Sequence, residues 1–281
     1  MVSLASQRIV SDYLRSKYQV SERHSCRIIG LNRATKRNKP EANHDQELRE
    51  EIHRLSVHYP RFGYRKIYYK LKEAGWKIGR ERVRLIRKQE GLQVIKKQKK
   101  KRLLGKSTTK LSKANYPNHV WSYDLVSDQT ACGRRIRSLT VIDEYTRYGL
   151  AIYTSRSITS GHVKRVLSEL FDQWGPPVCI KSDNGPEFIA KSVQEWLDKA
   201  GVKTRYIDPG SPWQNGHNES FNAVFRDGCL DRWLFYSVQE ARRVINGWLD
   251  EYNVERPHGA LAGAPPARYV KQLEEKRRKA A

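Results

Sequence analysis

No apolar stretch in this 281-residue chain approaches the ~20 residues a helix needs to cross a bilayer, which argues against a helical membrane protein. The N-terminus lacks the apolar core of a signal peptide, so the expected location is the cytoplasm. Cysteine is scarce: Cys26, Cys132, Cys179 and Cys229 stand far apart, with no Cys-x-x-Cys pair. This argues against a disulfide-stapled scaffold and leaves His53 and His58 without partners for a zinc site. Acidic residues are outnumbered, with 30 Asp and Glu against 54 Lys and Arg, a net charge of +24. The surplus is local. Residues 1–113 carry 31 basic against 10 acidic residues, and residues 114–281 carry 23 against 20. The first third therefore expects a polyanion. A membrane surface would also attract it, but no amphipathic stretch accompanies the charge.

The length suits one to three domains. Residues 1–40 read as a small helical unit, with a helix from Gln7 to Lys17, Ser21 capping a second through Ile29, and Asn32 opening a third. It is either a helix-turn-helix remnant or a basic, partly ordered arm. Residues 43–95 read as a helix-turn-helix DNA-binding domain. Tyr64, Ile67, Tyr68, Leu71 and Ala74 recur at helical spacing and Gly75 ends that helix. A second helix turns Val83 and Ile86 inward and leaves Arg80, Arg82, Arg84, Arg87 and Lys88 outside. A basic helix after a glycine-containing turn is what a major-groove reader requires. Arg65 and Lys66 on the first helix join the candidate DNA contacts. The plain alternative is a solvated charged face, and the charge surplus favours nucleic acid.

Between Lys96 and Lys113, nine of eighteen residues are basic. Such a stretch repels itself and reads as a linker (residues 96–113) tracking a phosphate backbone, with Lys96, Lys97, Lys99, Lys100, Lys101 and Arg102 as contacts. Residues 114–235 place strands first and then alternate strand and helix, an α/β catalytic domain. Residues 236–281 read as a C-terminal helix and a tail packed on it. Ser237 and Glu240 suit a capping box, Ala241, Ile245, Trp248, Leu249 and Tyr252 repeat at core spacing, and the end should fray.

Three acids carry the chemistry. Asp124 lies in WSYDLV, Asp183 in IKSDNGPEF and Glu219 in PWQNGHNESFN, with 58 and 35 residues between them. Each alone has an ordinary alternative: a strand-end aspartate, an Asp-Asn-Gly turn, and a helix-start glutamate. Their contexts place the two aspartates at the ends of neighbouring strands. Asn215 or Gly216 opens a helix that buries Phe221, Val224, Phe225 and Leu230 and turns Glu219, Asn222 and Arg226 to one other face, where Asn222 and Arg226 join the candidate DNA contacts, Arg226 as a phosphate ligand or else a solvated surface arginine. Carboxylates in such an arrangement suit divalent cations, which activate an attacking oxygen and neutralise a leaving one in phosphoryl transfer. Asp143, in a turn after a strand, reads as structural.

Together WSYDLV, VIDEYTRYGLAI, SDNGPEFI, PGSPWQNGHNESFNAVFRDGCL and YNVERPHGAL resemble the bacterial insertion-sequence transposases of the IS-three family, the product of their second reading frame. The likeness runs from about residue 5 to about residue 270. It implies an RNase H-like catalytic core, a mixed sheet with flanking helices similar to that of retroviral integrases, behind small all-α helix-turn-helix units. It further implies Asp124, Asp183 and Glu219 as catalytic ligands of two Mg²⁺ or Mn²⁺ ions. The implied reaction is cleavage at the ends of an insertion element and transfer of the freed 3′-hydroxyl. Implied partners are double-stranded DNA at the terminal inverted repeats and at the target, further copies of the chain, and an upstream-frame protein as partner or fusion. The integrase-type His/Cys zinc module is missing here. Asn253, Arg256, Pro257 and His258 form the closing motif. Two other readings stand beside this one: a non-catalytic DNA-binding partner of a longer fused transposase, and a plain RNase H-like nuclease, against which the basic N-terminal module argues.

Overall fold

In the computed structural model, residues 4–37, 42–94, 114–183, 185, 187–206 and 215–280 are described. They fall into two compact units, Met1–Pro60 with Glu81–Leu92, and Arg61–Arg80 with Gln93–Ala281. Before the sheet the described helices are α1 (Leu4–Tyr18), α2 (Glu22–Ile28), α3 (Arg33–Arg37), α4 (Ala42–His58), α5 (Tyr64–Glu73) and α6 (Arg80–Gln89). The expected caps are formed: Ser21 Oγ accepts from His24 N at 3.2 Å, and Asn32 Oδ1 accepts from Ala34 N at 2.9 Å. Leu48, Ile52 and Leu55 of α4 are buried, as are Val83 and Ile86 of α6.

Arg87 departs from expectation. It lies inside α6's unit, only 3% exposed, and its Nε and Nη2 donate to the Leu92 carbonyl at 3.1 and 2.5 Å. A guanidinium there satisfies an acceptor just past the helix C-terminus, where a cation is favoured. Helix α5 groups with the second unit. Phe62, just before it, packs its ring under the Arg256 guanidinium at 5.3 Å, and Lys70 and Glu73 pair with Glu255 and Arg268. The ring of Tyr69 lies so close to Gly263 that a Cβ there would meet it at 2.2 Å.

The second unit is built on a five-stranded mixed sheet: β1 (Val120–Gln129), β2 (Arg135–Asp143), β3 (Gly149–Ser155), β4 (Cys179–Ser182) and β5 (Lys203–Tyr206), in the order β3-β2-β1-β4-β5. The first three strands are antiparallel neighbours, whereas β4 runs parallel to both β1 and β5. Strand alternation sorts the side chains to two faces. Trp121, Tyr123, Leu139, Val141 and Ile180 meet Val163 and Leu167 of α7 (Ser160–Trp174) and Val193 and Leu197 of α8 (Lys191–Lys199). On the other face Val126, Ile136, Ile142 and Ile152 meet Phe221 and Phe225 of α9 (Gly216–Gly228) and Ile245 and Trp248 of α10 (Val238–Val254). Each such side chain contributes about 1.5–3 kcal/mol on burial.

Gly149 is where the second face closes. A Cβ there would lie 2.5 Å from Leu249 Cδ1, and the Asn253 amide bonds both the N–H and the carbonyl of Gly149 at 2.9 Å. Ser237 Oγ caps α10 by accepting from Glu240 N at 3.1 Å, while the Glu240 carboxylate reaches back to Tyr236 N at 2.8 Å. The charged tail is not frayed: residues Pro266–Ala280 form α11, opened by a proline at its first position, where a missing N–H costs nothing.

Candidate active site

The register of β1 against β4 sets Ser122 beside Lys181, so two residues further on Asp124 and Asp183 become neighbours on the α9 face. Opposite Asp124 on β2 lies Thr140. Asn222 of α9 donates from Nδ2 to Asp124 Oδ2 at 2.7 Å, and its own Oδ1 lies 3.0 Å from Thr140 Oγ1. The second carboxylate oxygen of Asp124 accepts from Leu125 N at 2.7 Å. Asp183 is exposed and Oδ1 accepts from Gly185 N at 3.2 Å, so it also serves the turn that its Asp-Asn-Gly context suggests. Glu219 sits in the first turn of α9, exposed, and makes no hydrogen bond or ion pair among the described residues.

Burial pushes the Asp124 carboxyl up to about 6, and the charges of Asp183 and Glu219 push the same way against the Leu125 and Asn222 hydrogen bonds. An oxygen-only donor set with uncompensated negative charge is what a hard divalent cation takes. The arrangement is open, however. Among the described residues no three His, Cys, Asp or Glu side chains are gathered closely enough to hold one ion. Asp143 is buried, with Oδ2 accepting from Thr146 N at 3.1 Å and from Thr146 Oγ1 at 2.5 Å, and this fits its turn role.

The candidate DNA contacts divide. Arg65, Arg80, Arg82 and Lys88 are exposed, and Arg84 is held by Glu81 through bonds of 2.5 to 2.9 Å. Arg226 is exposed and anchors to the Ser127 carbonyl at 2.9 Å. Lys66 is not a free surface cation: burial, helped by the nearby Arg256 charge, lowers its ammonium to about 7. Lys96, Lys97, Lys99, Lys100, Lys101 and Arg102 lie outside the described residues. Sequence reasoning missed Arg147, His217 and Tyr252, which share a cavity with Lys66. The cluster of aromatic and basic residues around YNVERPH was the available signal.

The family model described as an integrase core domain matches residues 114–212, a second integrase core model matches residues 200–266, and an HTH-like domain matches residues 43–100. The insertion element IS407 uncharacterized 31.7 kDa protein of Burkholderia multivorans is 33% identical over 92% of this chain and 93% of its own length. The insertion element IS476 uncharacterized 39.2 kDa protein of Xanthomonas euvesicatoria is 36% identical over 89% of this chain and 72% of its own. A chain of the simian T-cell lymphotropic virus intasome, in complex with PP2A regulatory subunit B56 gamma, shares the fold. Its TM-score is 0.51 at 14% identity, over 78% of this chain and 73% of that one.

Proposed function

Because this chain belongs to the insertion-sequence transposases that join an HTH-like domain to an integrase core, we propose that it is a transposase that cleaves DNA at the ends of its element and transfers the freed strand. The observation that carries this reading is the parallel pairing of β1 with β4, which brings Asp124 on β1 beside Asp183 just past the end of β4, with Glu219 on the helix that covers the same face. In this reading the three carboxylates hold two divalent ions, Mg²⁺ or Mn²⁺. Bound there, the ions supply activation of the attacking oxygen and neutralisation of the leaving one. Asn222 orients Asp124 by holding one carboxylate oxygen, and Thr140 orients Asn222.

Water attacks the phosphodiester at the element's end, the bond from phosphorus to the 3′-oxygen breaks, and a 3′-hydroxyl is left. That hydroxyl then attacks a second phosphodiester in line, so one ester bond replaces another and no external energy source is needed. The HTH-like domain recognises the terminal inverted repeats. Copies of the chain assemble on DNA, with an upstream-frame protein as partner or fusion.

Asp124→Asn, Asp183→Asn and Glu219→Gln should each reduce cleavage and strand transfer by at least ~10³-fold while binding of the element's end survives, since losing a ligand removes transition-state charge stabilisation. Strand transfer at the normal rate by any one variant removes that residue from the site. A second reading, a DNA-binding partner without catalysis, is favoured by the open spacing of the three acids. Inactivity of the unaltered chain with Mg²⁺, in the presence of the upstream-frame protein, would select it.

A further inference from the structure

On the flank of α9 away from Asp124 lies a cavity of about 430 Å³. Helical offsets separate the two sides: Glu219 and Asn222 face the carboxylates, while His217, Ser220 and Val224 face the cavity. Its wall is basic. Lys66 comes from α5, Arg147 from the turn between β2 and β3, and Arg256 and His258 from the segment after α10. The floor is apolar, made by Ile142, Phe221 and Tyr252.

The guanidiniums of Arg147 and Arg256 and the ammonium of Lys66 need an explanation in a half-enclosed space, because a buried cation without a partner is costly; burial and these same cations lower His258 to about 3, so it enters as a neutral imidazole. Arg256 is only 8% exposed, and its guanidinium makes no hydrogen bond or ion pair among the described residues; its one close partner is the ring of Phe62. His258 Nε2 is buried with no hydrogen-bond partner. Arg147 spends one nitrogen on His217 Nδ1. The nearest acids are engaged elsewhere: Asp227 pairs with Arg61 at 3.3 Å and Glu144 with Lys181 at 3.0 Å. Asp227 and Glu251 act on Arg256, and Asp227 on Lys66, only through space. Asn215 makes no side-chain cap on α9, so the helix's N-terminal dipole adds to the same positive field.

We propose that this cavity is a phosphate-binding site that seats a backbone phosphate of a DNA strand passing over the first turn of α9. The proposal rests on the reading of the chain as a DNA transposase. A charged, hydrogen-bonding anion would satisfy Arg256, Lys66 and His258 together, and an apolar floor beneath them leaves room for the attached sugar. The cavity and Asp124 are separated by the width of one helix, ~10 Å. A strand held at the cavity would therefore be placed within a few nucleotides of the carboxylates, with α9 as the fulcrum.

The test uses the full chain. A brief pulse of an amine-acylating reagent at neutral pH, read by peptide mass spectrometry, reports Lys66 against the exposed Lys191. Samples carry no ligand, inorganic phosphate, or duplex DNA, and fluorescence anisotropy confirms that the DNA is bound. Duplex at ten times its Kd should slow acylation of Lys66 about tenfold. Ala260→Trp fills the cavity from an exposed rim position and leaves every buried charge in place. It should lower the slope of log affinity against log salt by about one unit, the loss of one phosphate contact. Bound DNA with Lys66 still fully reactive and an unchanged slope overturns the site while leaving the transposase reading intact. Shielding by inorganic phosphate but not by bound DNA makes it a small-anion site and overturns the assignment to a strand. No DNA binding at all overturns the transposase reading first, and the strand assignment with it.

Discussion

Asp124 is the candidate ligand whose titration the fold shifts. Burial raises its carboxyl from the ordinary 3.8 to about 6, so the folded chain holds that proton more tightly than the unfolded chain does. The sign follows from linkage. The stabilising contribution is complete below the unfolded value near 4 and is lost as pH rises through about 6. At pH 8 the metal-free protein then carries a cost on the order of 3 kcal/mol, from a shift of about two units. Asp124→Asn removes the titration while keeping the shape and the Leu125 contact. Without metal, the melting temperature of the variant should gain on that of the unaltered protein between pH 5 and pH 8. Mg²⁺ at pH 8 should then stabilise the unaltered protein and leave the variant unmoved, because the ion neutralises a buried carboxylate charge that the variant does not carry. A constant difference across that pH range, with no effect of Mg²⁺, would mean that Asp124 bears no such cost.

At the scale of elements, α6 separates two kinds of arginine. Arg82 is exposed on the helix, whereas Arg87 turns inward and closes the helix end on the Leu92 carbonyl. Replacing Arg82 by alanine should cost about 1–3 kcal/mol of binding to the proper DNA end and almost nothing with scrambled duplex, if its side chain reads a base. Arg87→Met should instead lower the stability of the fold by roughly 1.5–3 kcal/mol for a lost charged hydrogen bond, read as a lower melting temperature, and weaken both duplexes only through unfolding. Binding and melting of the two variants side by side decide the matter; equal losses on both duplexes for Arg82→Ala would make α6 a phosphate clamp. The starts of α2, α9 and α10 were legible because caps and stripes are local: Ser21 and Ser237 cap where the sequence puts them, and Asn215 stands at the start of α9 without a side-chain cap, its stripe alone marking the helix. Helix α4 was not, since Leu48, Ile52 and Leu55 form a thin stripe among charges, and α11 was hidden by its basic composition. The adjacency of Asp124 and Asp183 needed the parallel register of β1 and β4, which local pattern implies only loosely. The basic cavity was out of reach, because its walls come from four distant segments that only the fold brings together.

For the whole molecule the decisive asymmetry is charge. Residues 1–113 hold a net +21 and residues 114–281 a net +3, so the electrostatic affinity for DNA and the carboxylates that would cut it sit in different stretches of one chain. Binding of the full chain should therefore weaken steeply with salt, as counterions released by the basic stretch are recaptured. Lys99→Ala, in the basic stretch of residues 96–113, should weaken proper and scrambled duplexes alike and flatten the salt slope by about one unit. Asp183→Asn should leave that slope untouched while abolishing strand transfer. A salt slope carried by Asp183 rather than Lys99, or an affinity indifferent to salt, would place binding and cutting in the same surface and remove the division of labour between the two parts of the sequence.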